Sequence, residues 1–182
     1  PALLDDEVAA ARDLAGFVAG LRALDPTGAP RAGRAPLARL DAVTRAAIEA
    51  LAGDFDVGAL RTAWSLALDA PAWDGAPVWI HADLLRPNLL VRDGRLTAVL
   101  DFGSAGAGDP AADVIAAWSV FGAAGRAAYR AALAVDDATW QRARGYALHQ
   151  ALLIVPYYRH SNPGFAELAV RTITEILAED GA

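Results

Sequence analysis

The chain has 182 residues, 55% hydrophobic and 21% charged, which is enough for one folded domain with a substantial core and too apolar for a disordered chain. A formal net charge of -6, with all sixteen basic residues Arg, argues against a nucleic-acid binder and is compatible with a cationic partner, while the absence of Cys excludes disulfide frameworks and thiolate metal sites. No apolar run approaches the ~20 residues of a membrane span and no signal-peptide pattern stands out, so a cytoplasmic protein without membrane contact is expected.

From about Leu4 to Leu24, apolar Val8, Leu14, Phe17, Val18 and Leu21 recur near the helical period, with Asp5, Asp6 and Glu7 in the first turn. A helix is predicted there. The Pro- and Gly-rich run from Asp25 to Pro36 reads as a loop, and two helices follow at about 36–51 and 57–68. After the breaker at 71–77, Val78-Trp79-Ile80 reads as a short strand. Leu89 to Val91 and Leu96 to Leu100 flank Arg92-Asp93-Gly94-Arg95, the pattern of a β-hairpin. Pairing those strands would bring Asn88 and Asp101 to one end of the hairpin. Asp109 as N-cap and Pro110 at the first helical position then open a helix with Val114, Ile115, Trp118 and Phe121 on one face. Further helices are expected at about 125–133, 136–155 and 165–177. Trp118, Phe121, Tyr129, Trp140 and Tyr146 are expected in the core, and His149 as a satisfied histidine.

Chemistry concentrates in His81-Ala82-Asp83, in Asn88 five residues after Asp83, and in Asp101 ahead of Phe102-Gly103. Singly, each polar residue reads as a turn or cap. Together they suit phosphoryl transfer, which needs a carboxylate to orient an attacking hydroxyl and accept its proton, and hard oxygen ligands to hold Mg²⁺ against nucleotide phosphates. A metal phosphoesterase built on His81, Asp83 and Asp101 is the poorer reading, because it lacks the further His and carboxylate ligands of such centres. The chain has no Lys to grip nucleotide phosphates.

These residues resemble the catalytic core of the aminoglycoside phosphotransferase family, relatives of the protein kinases in fold and mechanism. The family's usual run is His-Gly-Asp, four residues, Asn, then an Asp in an Ile-Asp-Trp or Asp-Phe-Gly-like turn, then Gly-Asp-Pro and a further Asp. The corresponding residues are His81-Ala82-Asp83, Asn88, Leu100-Asp101-Phe102-Gly103 and Gly108-Asp109-Pro110-Ala111-Ala112-Asp113. The resemblance implies a mainly α (α+β) fold, the helical C-terminal lobe of the protein-kinase-like fold, with a small β-hairpin carrying the catalytic and metal loops. Residues 1–182 would form that single lobe, and the N-terminal nucleotide-binding lobe with its phosphate-gripping Lys would lie outside this chain.

By the same resemblance Asp83 is the base, Asn88 and Asp101 hold Mg²⁺, and ATP or GTP is the co-substrate. His81 is a brace that bonds backbone near Asp101, and Asp113 reaches back to fix the catalytic loop. Arg86, beside Leu85 where relatives often carry a polar or basic residue, either contacts the transferred phosphate or forms a surface salt bridge. Asp136, Asp137, Tyr157, Tyr158 and His160 help line the acceptor pocket, against an alternative of capping and packing. Ala82 replaces the usual Gly, which is harmless only where φ need not be positive. The implied function is ATP-dependent O-phosphorylation of a small hydroxyl acceptor, an amino-sugar first, with choline, homoserine, fructosamine and macrolide kinases sharing the architecture. The isolated lobe is not expected to turn over. An inactive kinase-like binding or scaffold module is the competing class.

Overall fold

The computed structural model describes residues 5–180. Helix α1 (Glu7–Arg22) starts where the Asp6 carboxylate accepts from the Ala9 N–H at 2.9 Å, and it buries Ala10, Ala11, Leu14, Ala15 and Val18. Leu4, where the sequence places the start of this helix, lies outside the described residues. Helices α2 (Leu37–Ala50) and α3 (Val57–Asp69) fall where the apolar periodicity put them, α3 being capped by Asp56. Among the described residues no helix is long and apolar enough to cross a membrane.

Two short antiparallel pairs carry the loops between them. Strand β1 (Val78–Ile80) leads into His81, and β2 (Leu89–Arg92) pairs with β3 (Arg95–Val99), Leu89 opposite Val99, to form the expected hairpin. Its turn has Asp93 and Gly94 at φ 50° and 70°, the conformation for which Asp-Gly is favoured.

The partner of β1 is β4 (Gly106–Gly108), which the sequence did not announce, since Gly-Ala-Gly has no apolar alternation. Its glycines answer to the loop expected over 25–36, which runs alongside. Ala107 donates to the Pro30 carbonyl (2.8 Å) and Ala32 to the Ala107 carbonyl (3.0 Å). A Cβ on Gly106 would stand 2.4 Å from the Pro30 oxygen, so only Gly lets the backbones approach.

The helix expected from Asp109 to Phe121 is two single turns, α4 (Ala111–Val114) and α5 (Ala116–Ser119), joined by Ile115 in helical backbone. Asp109 precedes the N-cap position, held by Pro110, because its carboxylate is drawn to buried Arg142 (2.9 Å) while still accepting from the Ala111 N–H. Helix α6 (Ala123–Ala132) follows. Helix α7 (Asp137–Tyr158) continues through Pro156 past the expected end at Val155, and α8 (Pro163–Asp180) packs along it. The core includes Trp118, Phe121, Tyr129, Trp140 and Tyr146 as expected. Trp118 and Trp140 pack with ring centroids 4.5 Å apart and planes inclined at 46°, and both indole N–H groups donate to Glu179 of α8, so neither burial strands a donor.

Candidate active site

β1 delivers His81 and Ala82 into a buried polar knot. Asp113 on α4, with no exposed surface, accepts from the His81 N–H (2.9 Å) and the Ala82 N–H (2.8 Å) through its two carboxylate oxygens. Burial pushes the Asp113 carboxyl up from the usual carboxylate range, and these two backbone donors oppose that shift. The His81 ring takes an N–H from Asp83 at Nδ1 (3.3 Å) and lies 2.9 Å from the Leu100 carbonyl through Nε2. A carbonyl can only accept, so Nε2 carries the proton. Phe102 packs edge-on to the ring with centroids 4.8 Å apart. His81 thereby ties the loop after β1 to the end of the hairpin.

Ala82, where the family usually has Gly, has φ 66°, and Asp101 has φ 61°. Both occupy left-handed backbone that costs a non-glycine residue about 1–2 kcal/mol. The Asp113 contact and an Arg34 guanidinium on the Ala82 carbonyl (2.7 and 3.2 Å) hold Ala82 in place.

Asp83 is half-buried, and each of its carboxylate oxygens has an amide donor: Asn88 Nδ2 on Oδ2 (2.9 Å) and Gln150 Nε2 on Oδ1 (2.7 Å). Asn88 Nδ2 also reaches the Asp83 carbonyl (2.9 Å), which leaves the amide oxygen of Asn88 facing the other way. The Leu100 N–H donates to the Asn88 carbonyl (2.8 Å), which brings Asn88 beside the turn that carries Asp101. Exposed Asp101 accepts from the Gly103 N–H with one oxygen (3.2 Å). A carboxylate oxygen and an amide oxygen, both hard donors at one end of a hairpin, are the chemistry a small divalent cation such as Mg²⁺ takes. Among the described residues no cluster of three or more His, Asp or Glu side chains suits a metal ion.

Residues 2–146 match the model of the Phosphotransferase enzyme family. The chain belongs to this family. Its fold is also that of the helical lobe in solved phosphotransferase structures. A macrolide 2'-phosphotransferase type I is 19% identical with a TM-score of 0.59 over 90% of this chain and 58% of its own. The macrolide 2'-phosphotransferase MphH from Brachybacterium faecium is 24% identical, with a TM-score of 0.51 over 91% of this chain and 59% of its own. A GDP complex of aminoglycoside 2'-phosphotransferase-IIIa is 19% identical, with a TM-score of 0.60 over 98% and 65%. The chain thus spans about three-fifths of the length of these structures. No curated protein matches the sequence.

The other residues that the phosphotransferase resemblance singled out are dispersed. Among the described residues Arg86 forms no surface salt bridge. Its guanidinium donates to the Val120 carbonyl (2.6 and 3.1 Å), an acceptor left over at the end of α5, which Arg171 shares. Asp136 caps α7, accepting from the Thr139 N–H (2.7 Å), and that bond holds its carboxyl below the usual range. Asp137 pairs with Arg130 in solvent. Both lie ~20 Å from Gln150 along the direction of α7, at the helical rise of about 1.5 Å per residue, away from the Asp83 carboxylate. His160 is exposed beyond the end of α7. Tyr157 and Tyr158 do reach the site's surroundings, lining a groove of about 440 Å³ with Arg34, His149, Gln150, Leu153 and Ile154. Arg34 and Gln150 carry no local signal: one lies in a Pro- and Gly-rich loop and the other inside a long helix.

His149, beside Gln150, is buried against Trp64, and its Nδ1 bonds Thr44 Oγ at 2.7 Å. The Thr44 hydroxyl gives its proton to the Leu40 carbonyl (2.7 Å), so His149 Nδ1 is the donor to Thr44 Oγ. Burial, then the nearby Arg34, push His149 down from 6.5 to about 4. The unfolded chain therefore binds the proton first, and stability falls as pH drops from about 6.5 to about 4, by at most ~3 kcal/mol. Urea unfolding at pH 7 and pH 4.5 checks this: the advantage of the wild type over His149→Gln should shrink markedly at the lower pH. An advantage that is the same at both would show that His149 does not titrate as described.

Proposed function

We propose that this chain is the catalytic and acceptor-binding lobe of an ATP-dependent small-molecule O-phosphotransferase of the cytoplasm, with GTP as the other candidate donor. The observation that carries the reading is the Asp83 carboxylate, bracketed by two amides beside a hairpin end that also presents Asn88 and Asp101. Asp83 orients the acceptor hydroxyl and takes its proton as the new oxygen–phosphorus bond forms and the bond to the departing nucleoside diphosphate breaks. Asn88 and Asp101 would hold Mg²⁺, which when bound neutralises charge on the phosphate oxygens. His81 and Asp113 keep the loop in register with the hairpin. The Lys that grips the nucleotide would come from a second lobe, outside this chain.

The groove beside Asp83 favours one kind of acceptor. Tyr157, Tyr158, Leu153 and Ile154 give it apolar walls, Arg34 is its cation, and among the described residues no Asp or Glu lines it, the Asp83 carboxylate standing behind Gln150. A polycationic amino-sugar finds little there, whereas a hydroxyl on a scaffold with apolar surface, as in a macrolide, finds a matching wall. The test supplies the nucleotide-binding lobe, γ-labelled ATP, Mg²⁺ and a panel of aminoglycosides, macrolides and smaller alcohols. Label should move to an acceptor in the wild type and about 100-fold or more slowly in Asp83→Asn. Transfer in the variant within about tenfold of the wild-type rate removes Asp83 from the base role, and nucleotide binding without transfer to any acceptor favours the scaffold class.

A further inference from the structure

We infer that Gln150 and Arg34 are positioning residues for the Asp83 base, acting as a relay that fixes the rotation of its carboxylate. This rests on the phosphotransferase reading above and adds the elements that aim its base.

Arg34 comes from the loop before α2. Its Nη2 donates to Gln150 Oε1 (2.8 Å), and Gln150 Nε2 donates to Asp83 Oδ1 (2.7 Å). An amide side chain in isolation can flip at little cost. Here it cannot: a guanidinium only donates, so the amide oxygen must face Arg34 and the amide nitrogen must face Asp83. Arg34 thus sets the orientation of Gln150, and Gln150 sets one oxygen of the base while Asn88 Nδ2 sets the other (2.9 Å). The same guanidinium holds the Ala82 carbonyl at the left-handed residue next to Asp83 and stands 3.9 Å from the carboxylate itself. Loop backbone and base side chain are therefore fixed by one cation.

The relay also borders the groove. Arg34 and Gln150 line it together with Tyr157 and Tyr158, so an acceptor seated against the tyrosines rests on the helix that aims the base. Without Gln150, Asp83 Oδ1 keeps no donor on the α7 side, and the carboxylate is free to turn about its Cβ–Cγ bond.

Two measurements on the full-length protein test this. In the first, initial rates are taken with ATP, Mg²⁺, and kanamycin and erythromycin as acceptors. Gln150→Met, nearly the same size, should lower kcat about 10- to 100-fold with the KM for ATP unchanged within about twofold, as expected for a misplaced catalytic group. Gln150→Glu, which keeps the Arg34 partner but sets a carboxylate against Asp83, should lose at least as much, and Arg34→Met should follow Gln150→Met. Full kcat in Gln150→Met overturns the inference, as does a raised acceptor KM with kcat intact, which would make Gln150 a substrate contact. In the second, the Gln150 side-chain amide is followed by NMR, without turnover. One of its protons should exchange slowly with water, and its signal should move in both Asp83→Ala and Arg34→Met. A signal unchanged by Asp83→Ala shows that the relay does not exist. If the relay is seen while the wild type phosphorylates no acceptor, the function reading fails and the relay stands as a structural assignment.

Discussion

Asp83→Asn is expected to lower kcat by about 10²- to 10⁴-fold, the range a positioned general base contributes, equivalent to roughly 3–5 kcal/mol of transition-state stabilisation. The substitution preserves shape and removes the proton acceptor. It also disturbs the bracket. Both carboxylate oxygens accept from amide N–H groups, from Asn88 and from Gln150, and an Asn in this place must turn its own NH₂ toward one of them. One donor then loses its partner at a cost of about 1–3 kcal/mol. The variant should unfold at a lower urea concentration than the wild type while remaining folded in buffer. Measuring kcat and the KM for ATP separately distinguishes the two effects, since loss of the base lowers kcat and leaves nucleotide affinity nearly unchanged. A kcat within tenfold of wild type would assign the base elsewhere.

Much of this arrangement is local, and local physics is legible in a sequence. The hairpin follows from alternating apolar residues around Asp93-Gly94, and its register brings Asn88 beside the turn that holds Asp101. Asp113 is legible for another reason: its bonds to the His81 and Ala82 N–H groups span 32 and 31 residues, and it is its place after Gly108-Asp109-Pro110 in the motif that announces it. What could not be read is decided by packing between distant segments. The bond between Arg34 and Gln150 spans 116 residues and depends on where α7 lies against the loop before α2, which no periodicity encodes. β4 escaped notice because its glycines leave room for neighbours, Gly106 for the Pro30–Ala32 backbone and Gly108 for the Ile80 side chain, and present no apolar alternation of their own. Two residues singled out for the site answer instead to unpaired backbone at helix ends, one three residues away and the other thirty-four. Asp136 satisfies the N-terminus of its own helix, and Arg86 the carbonyl end of another. Orphan backbone groups at helix ends compete for polar side chains, and here they win over the site. Ala82 is intermediate. Its position in the motif signals left-handed backbone, but only the fold shows what holds an Ala there.

Asp113→Ala is expected to destabilise the fold by about 3 kcal/mol or more. Asp113 has no exposed surface, and its two oxygens are the acceptors for the His81 and Ala82 N–H groups. Truncation leaves both donors buried and unpaired, each costing about 1–3 kcal/mol. It also takes from Arg22 the negative charge that faces it. Against this stands the relief of removing a carboxyl whose burial pushes it up, which offsets part of the loss and keeps the expected net near the middle of the range. Asp113→Asn retains one oxygen and should lose about half as much. Urea midpoints with an unchanged m-value measure both, and a loss under about 1 kcal/mol for Asp113→Ala would show that water replaces the carboxylate without penalty. Turnover should fall further than stability requires. The left-handed Ala82, φ 66°, is held against a steric preference of about 1–2 kcal/mol, and with Asp113 gone only Arg34 restrains it. The loop can then relax toward ordinary backbone and carry Asp83 away from its two amides. Asp113→Ala assayed at a temperature where it is fully folded should therefore show a depressed kcat, whereas a destabilising core substitution of equal cost, such as Leu14→Ala on α1, should not.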